Sequence, residues 1–289
     1  MSAQEIAVAA VDPIALEWIG AGRTGREAHW RALHGDAGLA GWLADLQPTH
    51  FHFGSEFCEH LLPSARTLRL ALRRATAAAL QFVLLTPVAS PEVLRRLEAL
   101  LPLLPEGTEV VVNDWGVGRL IAERFPACRI TAGRILCRMV KDPRLAGPEW
   151  AQQCDHGLDS APLMAVLRRI GVERLEIDLP LFAELDSLGR LPLPKAVHFP
   201  FFYIAKGRMC RPGSMSLART ERFAVGRRCR KECRNLAATA SRPGRQDAST
   251  TLHVGNTLFC RHEEGAFGVL RKAWDARLVD RVVVPGEPL

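Results

Sequence analysis

The chain has 289 residues, 48% of them hydrophobic, which suffices for one large core or at most two domains. No run approaches the roughly 18 consecutive apolar residues of a membrane span, and residues 1–13 lack a basic region followed by a long apolar run. We therefore expect a soluble, cytoplasmic protein with one domain over 1–289 and no membrane span.

The formal charge of +7 is concentrated in one part of the chain. Between Lys206 and Arg234 there are ten Lys or Arg against two Glu, a local excess of eight that is larger than the net charge of the whole chain. Such a concentration predicts an anionic partner or an anionic group bound nearby.

Short apolar, β-branched runs alternate with helical stretches along the chain. The predicted strands cover 6–11, 49–54, 80–86, 108–113, 128–133, 174–179, 196–205 and 281–285. This alternation is typical of parallel strands joined by crossover helices. Eight strands predict an α/β fold of the (β/α)8 TIM-barrel type, and an incomplete or distorted barrel fits as well, because a long region without clear alternation precedes the last strand.

Two of the intervening segments, 62–80 and 90–104, carry leucines at helical spacing, and the second is expected to begin with Ser90 as its N-cap. Residues 206–260 differ, because they are rich in Arg, Cys, Gly and Ser and include a polar stretch at 237–250. We expect them to form a Cys-rich C-terminal elaboration of the barrel that carries the site.

Eight cysteines in a chain without an export signal are expected to stay reduced, so metal binding competes with ordinary burial to explain them. Cys229 and Cys233 are four residues apart, and a helix there would place both sulfurs on one face. Cys210 precedes them and Cys260 follows, which brings four thiols within 51 positions. Four thiolates are the usual complement of an iron-sulfur cluster or a structural zinc, and the surrounding arginines would stabilise the negative charge of either.

The other cysteines receive separate interpretations. Cys58 follows a predicted strand, where barrel enzymes place functional groups, and is the alternative fourth ligand. Cys128, Cys137 and Cys154 have no close partner in the sequence, and we expect them to be buried. For the whole set, packing as small apolar side chains is the alternative to metal binding.

Polar groups follow four predicted strands, at the end of a parallel barrel where chemistry takes place. The candidates for one substrate pocket are Glu56 with its neighbour Ser55, Asn113, Asp114, Arg134 and Asp178. Asn113 and Asp114 fit helix capping as well as substrate binding, and Asp178 fits a turn. Arg134 is suited to bidentate binding of a carboxylate or phosphate, with a surface ion pair as the alternative.

No HExxH, GxSxG or Ser/His/Asp ordering stands out, so proteolysis is not expected. Five segments, GSEFCEHLL, TEVVVNDWGVGRLIAERFP, ITAGRILCRMVKDPR, YIAKGRMC and RRCRKECR, instead resemble the collagenase-like peptidase superfamily. The resemblance extends over most of 45–265 and is closest to its UbiU/UbiV-type iron-sulfur proteins, in particular the UbiV-like members.

The resemblance implies a barrel with a four-cysteine [4Fe-4S] site and a historical peptidase label. It also implies a heterodimer with a paralogous subunit that acts in oxygen-independent hydroxylation during ubiquinone biosynthesis, on an aromatic or prenylated precursor. Because relatives modify RNA bases, RNA base hydroxylation is an alternative, although only Phe223 interrupts the Arg-rich run before Arg234 and a stacking platform is missing. A noncatalytic scaffold subunit is the third hypothesis, and zinc is the alternative metal.

The two branches of the resemblance imply different ligands. The UbiV-type pattern maps to Cys58, Cys210, Cys229 and Cys233. In the UbiU-type pattern one ligand position is Tyr203 here, while another matches Cys260. We predict Cys210, Cys229, Cys233 and Cys260 as the ligands, with Cys58 as the alternative to Cys260.

Overall fold

The strands and helices are described from a computed structural model that covers residues 3–139, 149, 157–180, 185–207, 209–222, 229–240 and 251–289. The strands are β1 (Glu5–Ala10), β2 (His50–Gly54), β3 (Gln81–Leu85), β4 (Glu109–Val112), β5 (Arg129–Ala132), β6 (Val172–Asp178), β7 (Lys195–His198), β8 (Phe201–Lys206), β9 (Ala237–Ala240), β10 (Thr251–Val254), β11 (Thr257–Arg261) and β12 (Arg281–Pro285). The helices are α1 (Arg23–His34), α2 (Ala37–Asp45), α3 (Ala65–Ala77), α4 (Pro91–Leu100), α5 (Trp115–Arg124), α6 (Ala161–Arg169), α7 (Leu185–Gly189), α8 (Arg211–Ser214) and α9 (Glu264–Asp275).

Eight parallel strands form a closed barrel in the order β1-β12-β7-β6-β5-β4-β3-β2. The barrel closes where β1 pairs with β12, from Glu5 opposite Arg281 to Ala9 opposite Pro285. The predicted (β/α)8-type fold is therefore confirmed, with a complete ring of strands. All eight carboxyl ends consequently point to the same mouth of the barrel.

A second sheet of four antiparallel strands has the order β8-β11-β10-β9, and the predicted elaboration at 206–260 supplies β9, β10 and nearly all of β11, while β8 precedes it. The single strand predicted at 196–205 is wrong, because the chain leaves the barrel at Phe199 and Pro200 and continues as β8 of the second sheet. Proline lacks the N–H that a barrel ladder requires. The strands β9 to β11 were not predicted, although the two-residue turn Gly255–Asn256 between apolar runs is a hairpin signal.

The predicted helices form where the leucine spacing indicated. Helix α3 lies within 62–80, and α4 begins at Pro91 with Ser90 as its N-cap, whose hydroxyl accepts a hydrogen bond from the Val93 N–H at 3.3 Å. The apolar faces of the helices pack on the outside of the barrel strands in one large core. None of the helices in the described ranges has the length and apolar character that a bilayer crossing requires.

Candidate metal centre and cavity at the barrel mouth

A cavity of about 230 Å³ lies between the barrel mouth and the second sheet. Glu56, Arg134 and His198 line it from the barrel side. Its remaining wall includes Cys58 and Cys233, together with apolar side chains such as Phe57, Phe201, Phe259 and Leu61. The cavity therefore combines a polar floor, an apolar side and two thiols.

Arg134 is held in the floor of the cavity by two carboxylates. Its Nε donates to Glu56 Oε1 at 3.0 Å and its Nη2 donates to Glu56 Oε2, while Nη1 donates to Asp178 Oδ1 at 2.7 Å. All three side chains are buried. The sequence predicted that Glu56, Arg134 and Asp178 share a pocket, and the structure brings them together as one ion-paired group.

Two aromatic rings enclose the guanidinium of Arg134. Its central carbon lies 5.3 Å from the Phe57 ring centroid and 5.8 Å from that of Tyr203, within cation–π range. The Tyr203 hydroxyl donates to the Arg134 carbonyl at 2.9 Å. Burial by itself would lower the pKa of Arg134, but Glu56 and Asp178 outweigh it and raise that pKa further, so the guanidinium stays charged.

The side chains of Asn113 and Asp114 form hydrogen bonds with backbone groups around the site. The Asn113 amide donates to the Thr86 carbonyl at 3.0 Å, and its oxygen accepts from the Ile135 N–H at 3.0 Å, which fixes the turn that carries Arg134. Asp114 caps α5 by accepting from the Gly116 N–H at 2.8 Å. The capping alternative is thus confirmed for Asp114, and Asn113 is a positioning residue.

The interior of the barrel below this floor is polar, which the sequence reasoning missed. His198 Nε2 lies 2.9 Å from Glu176 Oε2, and Glu176 Oε1 lies 3.2 Å from His52 Nδ1. His52 Nε2 in turn lies 3.1 Å from Arg281, which binds Glu109 through both of its terminal nitrogens. The available signal was the polar residues placed at every second position of β2 and β6.

Burial and charge set the protonation of this interior. Burial raises the pKa of Glu176 to about 8, with the Glu109 carboxylate adding to the rise. Burial would also raise the pKa of Glu109, but Arg281 outweighs it and lowers that pKa to about 2. Burial, with Arg281 beside it, lowers the pKa of His52 well below its ordinary value. One carboxylate of the pair is therefore ionised, and the other holds a proton at neutral pH.

Four thiols from three separate segments converge beside the cavity. Cys233 is hydrogen bonded to Cys210, and Cys58 and Cys229 are close enough to raise its pKa further. Cys210 and Cys229 likewise act on Cys58. A helix that would place Cys229 and Cys233 on one face does not form: Lys231 adopts φ +60°, and only Glu232–Arg234 forms a short 3-10 turn. A run of like charges without an apolar face has little to hold it as an α-helix.

Backbone N–H groups point at two of the sulfurs. The Lys231 N–H donates to Cys229 Sγ at 3.3 Å. Burial raises the pKa of the Cys58 thiol, and the N–H groups of His60 and Leu61 oppose that rise. N–H donors of this kind stabilise thiolates and metal-bound sulfur. The arrangement thus suits cysteines that are ionised when they bind a metal.

The Gly255–Asn256 turn holds the thiol-bearing segments together. The Gly255 carbonyl accepts from the Arg211 N–H at 2.8 Å, next to Cys210, and the Asn256 amide donates to the Phe57 carbonyl at 2.9 Å, next to Cys58. Gly255 adopts φ +60°, and a Cβ there would lie 3.5 Å from the Cys233 Cβ. The positive φ favours glycine at this turn, while the space beside Cys233 would admit a Cβ.

Cys260 lies elsewhere in the second sheet. It is buried in β11, opposite Phe202 of β8 and Thr251 of β10. Its neighbour Phe259 lines the cavity and packs on Phe57, so strand alternation directs Cys260 to the other face of the sheet. Of the remaining cysteines, Cys137 is buried as expected, Cys128 is half-buried, and Cys154 lies outside the described residues.

No protein-family model matches the chain, and no curated protein matches it. Among solved structures it is similar to the U32 (collagenase-like) peptidase Mk0906, with 12% identity, a TM-score of 0.46, and coverage of 100% of this chain and 96% of that one. It is also similar to a glycoside hydrolase family 18 N-acetylglucosaminidase from Paenibacillus barengoltzii, with 11% identity, a TM-score of 0.38, and coverage of 97% and 94%. These similarities are too distant to carry an inference about reaction or substrate.

Proposed function

We propose that this protein binds a [4Fe-4S] cluster through Cys58, Cys210, Cys229 and Cys233 and serves an oxygen-independent hydroxylation. The observation that carries the proposal is the convergence of these four thiols on one side of the barrel-mouth cavity. The proposal takes Cys58 rather than Cys260 as the fourth ligand, because Cys58 belongs to this group of thiols. A cluster bound there supplies electron transfer or a substrate-binding iron next to the cavity.

The surroundings of the thiols fit such a group. A cluster with four thiolates carries net negative charge, which cations and backbone N–H groups stabilise. Lys231 supplies an N–H to Cys229, and the exposed side chains of Arg211, Arg230 and Arg234 belong to the same segments as the thiols. Arg234 is in turn ion-paired with Asp12 beside β1, which ties the Cys233 turn to the barrel.

The cavity fits an aromatic or prenylated substrate with a polar substituent. Phe57, Phe201 and Phe259 offer apolar surface for a ring or an isoprenoid chain. On the floor, His198 and the Glu56–Arg134 pair offer hydrogen bonds that orient the polar end. The proposed division of roles is that the floor positions the molecule and the thiol side faces its reacting carbon.

The first test is the content of iron, acid-labile sulfide and zinc in protein purified without oxygen. We expect about four irons and four sulfides per chain and a broad visible absorption band that dithionite bleaches. Stoichiometric zinc, or no metal, contradicts the cluster. With the cluster present, anaerobic incubation of a prenylated phenol with the chain, a co-expressed paralogous subunit and an artificial electron acceptor tests the reaction, in which water supplies the hydroxyl oxygen and the acceptor takes the two electrons. Product that depends only on the paralogue indicates a scaffold role.

RNA base hydroxylation remains a second candidate because cationic side chains on the thiol-bearing segments are exposed. Arg219 and Arg222 add to this basic surface within the described part of the segment. Such a surface binds RNA with strong salt dependence. Filter binding of a structured RNA from low to physiological salt tests this candidate, and a lack of binding at low salt excludes it.

A further inference from the structure

A second group of metal-ligating side chains lies in the cavity floor and directly beneath it, apart from the cysteines. One oxygen each of Glu56 and Glu176 and one ring nitrogen of His198 lie within 4.8 Å of one another, and all three side chains are buried. The three residues come from the carboxyl-terminal parts of the barrel around β2, β6 and β7. We propose that they bind a divalent first-row transition-metal ion, distinct from any ion or cluster on the thiols.

The spacing of the group suits such an ion. Adjacent ligands of an octahedral ion with bonds of about 2.1 Å lie about 3.0 Å apart. His198 Nε2 and Glu176 Oε2 are 2.9 Å apart. Glu56 uses both oxygens to bind Arg134, but a carboxylate has about four lone-pair positions and can accept those hydrogen bonds while it ligates an ion.

A buried oxygen without a donor points to the ligand. Glu176 Oε1 is fully buried and has no hydrogen-bond partner in the described part of the chain, because its approach to His52 Nδ1 at 3.2 Å does not have hydrogen-bond geometry. A buried carboxylate oxygen is normally satisfied by a donor, a water or a metal. An ion that Glu176 binds through Oε1 as well as Oε2 would satisfy this oxygen.

The charge of the floor also favours a cation. Arg134 supplies one positive charge to three carboxylates, those of Glu56, Asp178 and Glu176. Deeper in the barrel, the positive charges of Arg281 and Arg174 are matched by the carboxylates of Glu109 and Glu5, so they add no net positive charge to the floor. Ligation requires an ionised carboxylate, so a bound ion would displace the proton that Glu176 otherwise holds, and the resulting surplus of two negative charges would equal the charge of one divalent ion.

The ligand types indicate the class of ion and its use. Two carboxylates and one imidazole suit Mn²⁺, Fe²⁺, Co²⁺ or Zn²⁺ better than Ca²⁺ or Cu⁺. Three protein ligands leave further coordination positions, and Glu56 and His198 both face the cavity, so those positions open toward a bound molecule. The bound ion would therefore recognise a substrate through an anionic oxygen, such as that of a carboxylate, phenolate or enolate.

The test uses Mn²⁺, which binds thiolates weakly, and the full chain. Equilibrium dialysis with metal analysis is expected to give one Mn²⁺ per chain, and its pulsed electron paramagnetic resonance spectrum is expected to show coupling to a histidine nitrogen. E176Q and H198Q should each weaken binding at least tenfold. The matched control substitutions E263Q and H253Q, at residues outside the floor, should leave the affinity for Mn²⁺ unchanged.

The cysteine variant C58S separates this site from the thiol site. Mn²⁺ binding that persists in C58S supports the floor site whether or not the chain holds an iron-sulfur cluster. The proposal is overturned if wild-type protein binds no stoichiometric Mn²⁺, or if E176Q and H198Q, shown to be folded by circular dichroism, bind it as wild type does. Absence of nitrogen coupling in the wild-type spectrum likewise overturns it, with no variant needed.

Discussion

The side-chain amide of Asn256 donates to the backbone carbonyl of Phe57 at 2.9 Å, joining positions that are 199 residues apart. The same amide donates to the Gly207 carbonyl at 3.1 Å. Phe57 precedes Cys58, and Gly207 lies three residues before Cys210. One side chain therefore fixes the separation of two thiols that no local structure connects.

Replacement of Asn256 by alanine is expected to loosen the thiol site while leaving the barrel folded. Two hydrogen bonds of about 1 kcal/mol each are lost, so the bound cluster should decay in air on the order of tenfold faster. Decay of the visible absorption band after exposure to oxygen measures the rate. Asn235→Ala, at an exposed position, is the control, and equal decay in both variants would show that Asn256 does not hold the site together.

The fourth ligand is decided by two serine variants. C58S is expected to retain less than about half of the wild-type iron and sulfide, because it removes one of the four converging thiols, whereas C260S should retain nearly all of it. C128S, a half-buried cysteine on the loop before β5, is the control for the loss of a thiol. Iron loss in C260S with retention in C58S would restore the ligand set predicted from the sequence.

Arg134→Met is expected to destabilise the fold by about 3–5 kcal/mol, because it leaves two buried carboxylates without their cation. Urea unfolding at neutral pH measures the change. Arg23→Met provides the comparison, since Arg23 makes its ion pairs at an exposed site, where a pair contributes about 0–1 kcal/mol. A loss below about 1 kcal/mol in Arg134→Met would mean that Glu56 and Asp178 do not depend on this cation.

His34 is expected to make stability fall in mild acid. It is buried against the Trp30 ring with no hydrogen-bond partner on either nitrogen among the described residues, and burial, together with Arg261, lowers its pKa to about 4. An unfolded imidazole takes up its proton near pH 6.5, so the unfolded state gains stability as the pH falls from 6.5 toward 4.

His34→Phe keeps the stacked ring and removes the proton. Between pH 7 and pH 4.5 the wild type should lose about 2–3 kcal/mol of unfolding free energy more than this variant does. Urea unfolding of both proteins at the two pH values gives the difference. Equal losses would show that His34 takes up its proton as easily in the folded state as in the unfolded one.

The barrel could be predicted because its strands carry local patterns. Runs such as 109–112 and 281–285 are buried and β-branched, and they recur with helical segments between them. The path after His198 could not be read in the same way, since the apolar run continues through Pro200 while the chain changes sheets. Apolar character indicates burial and leaves open which sheet a strand joins.

The candidate site was predictable only in part, because its geometry depends on distant segments. Glu56, Arg134 and Asp178 could be expected at one mouth of the barrel, since parallel strands share that end. The pairing of Glu176 with His198 depends on how β6 and β7 align, which sequence spacing does not specify. The meeting of Cys58 with Cys210 likewise depends on the Gly255–Asn256 turn, which is distant from both in the chain.

Tyr203 is the only tyrosine of the chain, and from β8 of the second sheet its hydroxyl contacts the turn that carries Arg134. Its ring centroid is 5.0 Å from that of Phe57, which lines the cavity. Biosynthetic incorporation of fluorotyrosine would therefore label the protein at a single position. One fluorine resonance, free of overlap, would report whether a molecule occupies the cavity. It would also report whether the second sheet is packed against the barrel mouth.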